Sequence, residues 1–146
     1  MAGTKSESAC ATAGYSRKPL SAKLGYKAGM RVTFIGMPQE VKPLLEDVMP
    51  ELRHVDLTDS EVVHMFTASG SEIHALLADI RAAFTANEVL WISWPKKSSG
   101  VSTDITEDLL REWILPTGLV DVKVCAVDAT WSALKFVLRK ELRVSG

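Results

Sequence analysis

Apolar residues recur along this chain in two rhythms. Met30 to Ile35 (MRVTFI), Leu52 to Leu57, Glu61 to Phe66 (EVVHMF) and Glu88 to Trp94 (EVLWISW) are short apolar runs of strand length. Leu119 to Val127 and Trp131 to Arg139 alternate instead. Val120, Val122 and Val124 stand against Asp121 and Lys123, and Leu134, Phe136 and Leu138 against Lys135 and Arg139, the pattern of strands with one more exposed face. Helical spacing appears three times. Val41, Leu44, Leu45 and Val48 follow Pro38 and stop at Pro50. Ile73, Leu76, Leu77, Ile80 and Phe84 share a face between Ser71 and Ala86. Ile105, Leu109, Trp113 and Ile114 follow a capping box of Asp104 and Glu107, and Pro116 and Gly118 end that run. A short helix is also predicted between Pro19, which can open it, and Gly25, which can close it as a left-handed cap.

The predicted order is β-α-β-β-α-β-α-β-β. Apolar strands alternating with amphipathic helices imply a doubly wound, Rossmann-like α/β fold with a mostly parallel sheet. The gap from Val127 to Trp131 holds only a hairpin, so the last strand runs antiparallel to its neighbour. The connection from Leu57 to Glu61 is too short for a normal crossover, which places the second strand at an edge. The expected sheet order is 2-1-3-4-6-5. Residues 1–14 are small and polar and read as a flexible tail, with a single α/β domain over 15–146.

Composition narrows the function classes. The 146 residues are 47% apolar and 24% charged, with a net charge of −1. No basic stripe is present, so nucleic acid is not an expected partner. The N-terminus lacks the apolar core of a signal peptide, and no apolar run approaches the ~18 residues of a membrane span, so no membrane association is expected. Cys10 in the tail and Cys125 in a strand are not expected to pair. A cytoplasmic location is the default reading.

In an open α/β sheet, ligands collect outside the carboxyl ends of the strands, where the strand order reverses. That rule gathers Gly36, Met37 and Pro38 after the first strand, Asp56 near the end of the second, and Thr67 and Ser69 after the third. It adds Pro95 to Ser102 after the fourth, and Asp128 and Thr130 in the last hairpin. The loop with Lys96, Lys97, Ser98, Ser99 and Gly100 offers ammonium groups, hydroxyls and free backbone N–H groups, and can hold an anion. The blander reading, a solvated connector in front of a helix cap, is the commoner role of such a loop. Asp56 can bind a ribose hydroxyl or serve as a turn residue. The first turn has one glycine, Gly36, where a dinucleotide fingerprint needs several, and Pro38 removes an N–H donor. His54, His64 and His74 have no metal-ligand spacing and no G-x-S-x-G elbow is present, so neither a metal nor a catalytic residue is expected. Trp94 and Trp131 are the two tryptophans placed to face a ligand.

The stretches LWISWPKKSSGVSTDITED (90–108), GLVDVKVCAVDATWSALKFVLRK (118–140) and GYSRKPLSAKLGYKAGMRV (14–32) resemble a family of small bacterial proteins known only as a domain of unknown function. That resemblance implies no activity. The predicted architecture, a parallel sheet ending in an antiparallel hairpin, also resembles the S-adenosylmethionine-dependent methyltransferase fold. There the turn after the first strand usually carries an acidic residue and several glycines; Phe34-Ile35-Gly36-Met37-Pro38 has neither the acid nor the extra glycines. Three functions stay open. The leading one is a domain without a catalytic constellation that binds a small anionic ligand or a protein partner, with no cofactor. The second is a small methyltransferase with a degenerate cofactor loop. The third is a homodimeric interaction module that pairs through its edge hairpin.

Overall fold

The computed structural model describes residues 19–144. The tail expected at 1–14, and the start of order near Tyr15, lie outside the described residues. Nine regular elements follow one another: α1 (Leu20–Leu24), β1 (Arg31–Ile35), β2 (Arg53–His54), β3 (Val62–Phe66), α2 (Gly70–Ala83), β4 (Val89–Pro95), α3 (Glu107–Ile114), β5 (Leu119–Ala126) and β6 (Trp131–Leu138). The six strands form one sheet in the order β2-β1-β3-β4-β6-β5, as the sequence predicts. β2, β1, β3 and β4 run parallel, and β6 is antiparallel to both β4 and β5.

Side-chain alternation along the strands splits the core in two. On one face Val63, Met65, Leu90 and Ile92 meet Ile73, Leu77 and Ile80 of α2 and Leu110 and Ile114 of α3. On the other, Val32, Val62, Phe66 and Trp91 meet Leu20 and Leu24 of α1, with Val41, Leu45 and Val48 of the segment after β1. Every residue of β3 is buried. That is expected of a central parallel strand covered on both faces. Trp91 is fully enclosed, and its indole N–H donates to the Leu24 carbonyl at 3.2 Å, pinning α1 to the sheet. Gly25 closes α1 in the left-handed region, at φ +83°. Among the described residues no helix is long and apolar enough to cross a membrane.

Three local expectations are corrected. The segment Val41–Val48 is not an α-helix but a chain of 3-10 turns, with regular pieces at Lys42–Leu45 and Met49–Glu51. Pro43 has no N–H to give an α-helical bond, and its ring would press on the carbonyl four residues back. Three-residue bonds such as Leu44 N–H to Val41 O (2.9 Å) and Val48 N–H to Leu45 O (3.1 Å) replace it, and Val41, Leu45 and Val48 still reach the core. The second strand, expected over Leu52–Leu57, is regular only at Arg53–His54. The chain must return to the start of β3 within a few residues, so it turns at Asp56 into a 3-10 segment, Leu57–Asp59, across the α2 face. The capping box of Asp104 and Glu107 does not form. Thr106 caps α3 by accepting the Leu109 N–H at 3.1 Å, Glu107 pairs with Arg111, and Asp104 accepts the Gly70 N–H at 2.8 Å. A side chain read as the cap of α3 therefore satisfies a free N–H at the start of α2.

Candidate functional site

The order β2-β1-β3-β4 sends the chain from β1 to one side and from β3 to the other, so the strand order reverses between β1 and β3. A pocket of about 250 Å³ lies at this point. Ile35 and Gly36 line it at the end of β1, Met65 and Phe66 at the end of β3, and Glu72, Ala75 and Leu76 on α2. Glu72 is the one charged residue among the seven that line it.

Gly36 shapes the floor. It sits at φ +70°, and a Cβ there would stand 2.6 Å from the Phe66 carbonyl oxygen. Only glycine lets the chain turn in this conformation against β3. Pro38 follows with no N–H, and the 3-10 turns beyond it present no α-helix to the strand ends. On the other wall, the start of α2 is held by internal bonds. Thr67 Oγ1 accepts the Ser69 N–H at 3.1 Å and donates to Glu72 Oε1, while Asp104 takes the Gly70 N–H. Thr103 Oγ1 donates to the Ala68 carbonyl at 2.7 Å, fixing the loop that follows β3.

Of the residues singled out in the sequence, Gly36 lines the pocket. Met37, beside it, packs partly buried against the α1 face. Asp56 is exposed and opens the Leu57–Asp59 turn through its backbone carbonyl, which accepts the Asp59 N–H at 2.9 Å. The remaining residues form a separate group at the ends of β4 and β6. Lys96 Nζ donates to the Asp128 carbonyl at 2.8 Å, and the Lys96 N–H to the Thr130 carbonyl at 2.7 Å. The Asp128 carboxylate accepts the N–H groups of Thr130 and Trp131, at 2.8 and 2.7 Å. Ser99 Oγ donates to the Lys96 carbonyl at 2.6 Å. These bonds tie the loop after β4 to the β5–β6 hairpin, while Lys97 and Ser98 stay exposed. Lys96→Ala is therefore expected to cost about 1 kcal/mol of stability, the usual worth of one such bond. Lys97→Ala is expected to stay within about 0.5 kcal/mol. Urea midpoints of the two variants test this difference.

Sequence reasoning named the segments on both sides of the pocket but missed the α2 wall. The signal was present. Ser69 and Glu72 have capping-box spacing, which fixes Glu72 in the first turn of a helix at the end of β3. A second arrangement was also missed. His64 is fully buried and its ring stacks on Phe66 at 4.2 Å. Its Nδ1 lies 2.7 Å from Tyr26 Oη and its Nε2 2.7 Å from Ser93 Oγ. In either neutral tautomer one ring nitrogen donates and the other accepts, so both hydroxyls are partnered. Burial holds the His64 imidazole down to about 3 and pushes the Tyr26 phenol well up. The row is sealed from solvent and braces the interior. Among the described residues, no group of three or more His, Cys, Asp or Glu side chains is placed to hold a metal ion.

Solved structures share this architecture. The fibrillarin pre-rRNA processing protein of Methanococcus jannaschii superposes with a TM-score of 0.51 at 10% identity, over 87% of this chain and 71% of that one. A protein of the NADB-Rossmann superfamily from Streptococcus agalactiae gives 0.50 at 9% identity, over 90% and 72%. The tRNA methyltransferase TrmK of B. subtilis gives 0.51 at 12% identity, over 84% and 66%. At these identities the likeness is one of fold: Rossmann-like, with methyltransferases among its neighbours. No protein-family model matches the chain, and no curated protein matches it in sequence.

Proposed function

We propose that this chain is a Rossmann-like binding domain that takes a small, largely apolar molecule in the pocket between β1 and β3. One observation carries the reading: a concave apolar site occupies the point of strand-order reversal, where this fold class places its ligands.

The fold also implies S-adenosylmethionine, and the residues present do not fit it. Gly36, the one glycine of the first turn, is used in the close approach to the Phe66 carbonyl. Pro38 offers no N–H, and the turns at Lys42–Leu45 and Met49–Glu51 stand where a helix would direct its N-terminus at the ligand. The pocket, at about 250 Å³, also falls below the ~300–1,000 Å³ usual for drug-sized ligands. Binding without methyl transfer is the reading these features support.

Two titrations test it. Calorimetry with S-adenosylmethionine is expected to give no dissociation constant below about 10 μM, roughly −7 kcal/mol. A tighter constant would restore the methyltransferase reading. Methyl NMR with 2-phenylethanol is expected to shift Ile35, Met65 and Leu76. Shifts confined to other regions would remove the pocket from the proposal.

A further inference from the structure

The pocket has one ionisable wall residue, and its chemistry selects among small apolar ligands. Glu72 stands in the first turn of α2, where the helix dipole favours a carboxylate. Its Oε1 is taken by the Thr67 hydroxyl, which orients the group. Among the described residues, no lysine, arginine or histidine forms an ion pair with it. The α2 N-terminus, the feature that would draw an anion to this end of the sheet, is occupied by the Asp104 carboxylate. Among the described residues that line the pocket, an anionic ligand would meet the Glu72 carboxylate and no cation. A ligand with an ammonium group would meet an uncompensated carboxylate beside an apolar cavity.

We infer that the pocket between β1 and β3 is selective for a primary amine on a small apolar body, with the ring or chain among Ile35, Met65 and Leu76 and the ammonium group donating to Glu72. This rests on the pocket reading above and adds the class of its ligand. The volume limits the apolar body to about the size of one ring and a short chain. Glu72 is exposed on its outer side, so the attraction is that of a surface ion pair, modest and screened by salt.

Three probes of nearly one shape and different charge test it: 2-phenylethylammonium, 2-phenylethanol and phenylacetate. Each is titrated against the full chain at low salt and followed through the methyl signals of Ile35, Met65 and Leu76. The ammonium probe is expected to bind about three- to fivefold tighter than the alcohol, the range of an exposed ion pair, with phenylacetate weakest. Glu72→Gln keeps an acceptor for Thr67. It should bring the ammonium and alcohol constants to within about twofold while leaving the alcohol unchanged. If the alcohol or phenylacetate binds as well as the ammonium probe, or if the preference survives in E72Q, the ligand class is wrong and the pocket stands. If none of the three shifts those methyl signals, the pocket reading fails and this inference fails with it.

Discussion

Gly36→Ala is expected to destabilise the fold by about 2–4 kcal/mol. Two costs combine. A left-handed backbone costs any residue with a Cβ about 1–2 kcal/mol. The new methyl would then stand 2.6 Å from the Phe66 carbonyl oxygen, inside contact distance, and Phe66 ends a strand paired on both sides. That oxygen cannot swing away without moving the ladder. Gly100 provides the control, because it has φ +80° with nothing within 4 Å of a built Cβ. Gly100→Ala should show only the conformational cost, about 1–2 kcal/mol. Urea denaturation of both variants separates strain from contact, and equal losses would show that the approach to β3 has no cost of its own.

His64→Phe should cost a similar amount, about 2–5 kcal/mol, because it leaves the buried Tyr26 and Ser93 hydroxyls each without a partner. Replacing all three at once, with Tyr26→Phe and Ser93→Ala added, should recover most of the loss, since no orphaned polar group then remains. His64 also sets an acid dependence. Its folded pKa, about 3, lies below the 6.5 of a free histidine, so the unfolded chain binds a proton that the folded chain refuses. The contribution of the neutral ring is complete above about pH 6.5 and is lost as the pH falls toward 3. Between pH 7 and pH 5, above the range of ordinary carboxylates, stability should fall by about 2 kcal/mol from this group. The His64→Phe variant should lack that step. A variant that retains it would assign the acid sensitivity to another group.

The strand order was legible because two short connections left few alternatives. A gap of a few residues after Val127 allows only a hairpin, and the short run from Leu57 to Glu61 forces β2 to an edge. The segment after β1 was misread for a physical reason. Val41, Leu45 and Val48 have the spacing of one α-helical face, and the broken chain of 3-10 turns also buries all three, so the decision fell to Pro43. Asp104 misled for a related reason: its carboxylate accepts the Gly70 N–H of α2, 34 residues away in the chain, while Thr106 takes the cap of α3. Gly36 could be named because strand-end glycines carry a known geometric meaning. His64 could not be connected with its partners, because Tyr26 lies 38 residues before it and Ser93 29 residues after it. No pattern along a single strand encodes that meeting.

The β5–β6 hairpin bears on the order in which the molecule assembles. Its turn, from Val127 to Trp131, is closed by the Asp128 carboxylate, and its strands pair residues that are near neighbours in the chain. Hairpins of this kind form within about 1–10 μs, because little loop entropy is lost. The pairing of β1 with β3 brings Val32 to Val62 and must wait for the long segment between them to fold back over the sheet. Non-local parallel pairing of that sort is slow. On loop length alone the β5–β6 hairpin is expected to pair first, and the β1–β3 and β4–β6 pairings, which join more distant parts of the chain, to follow it.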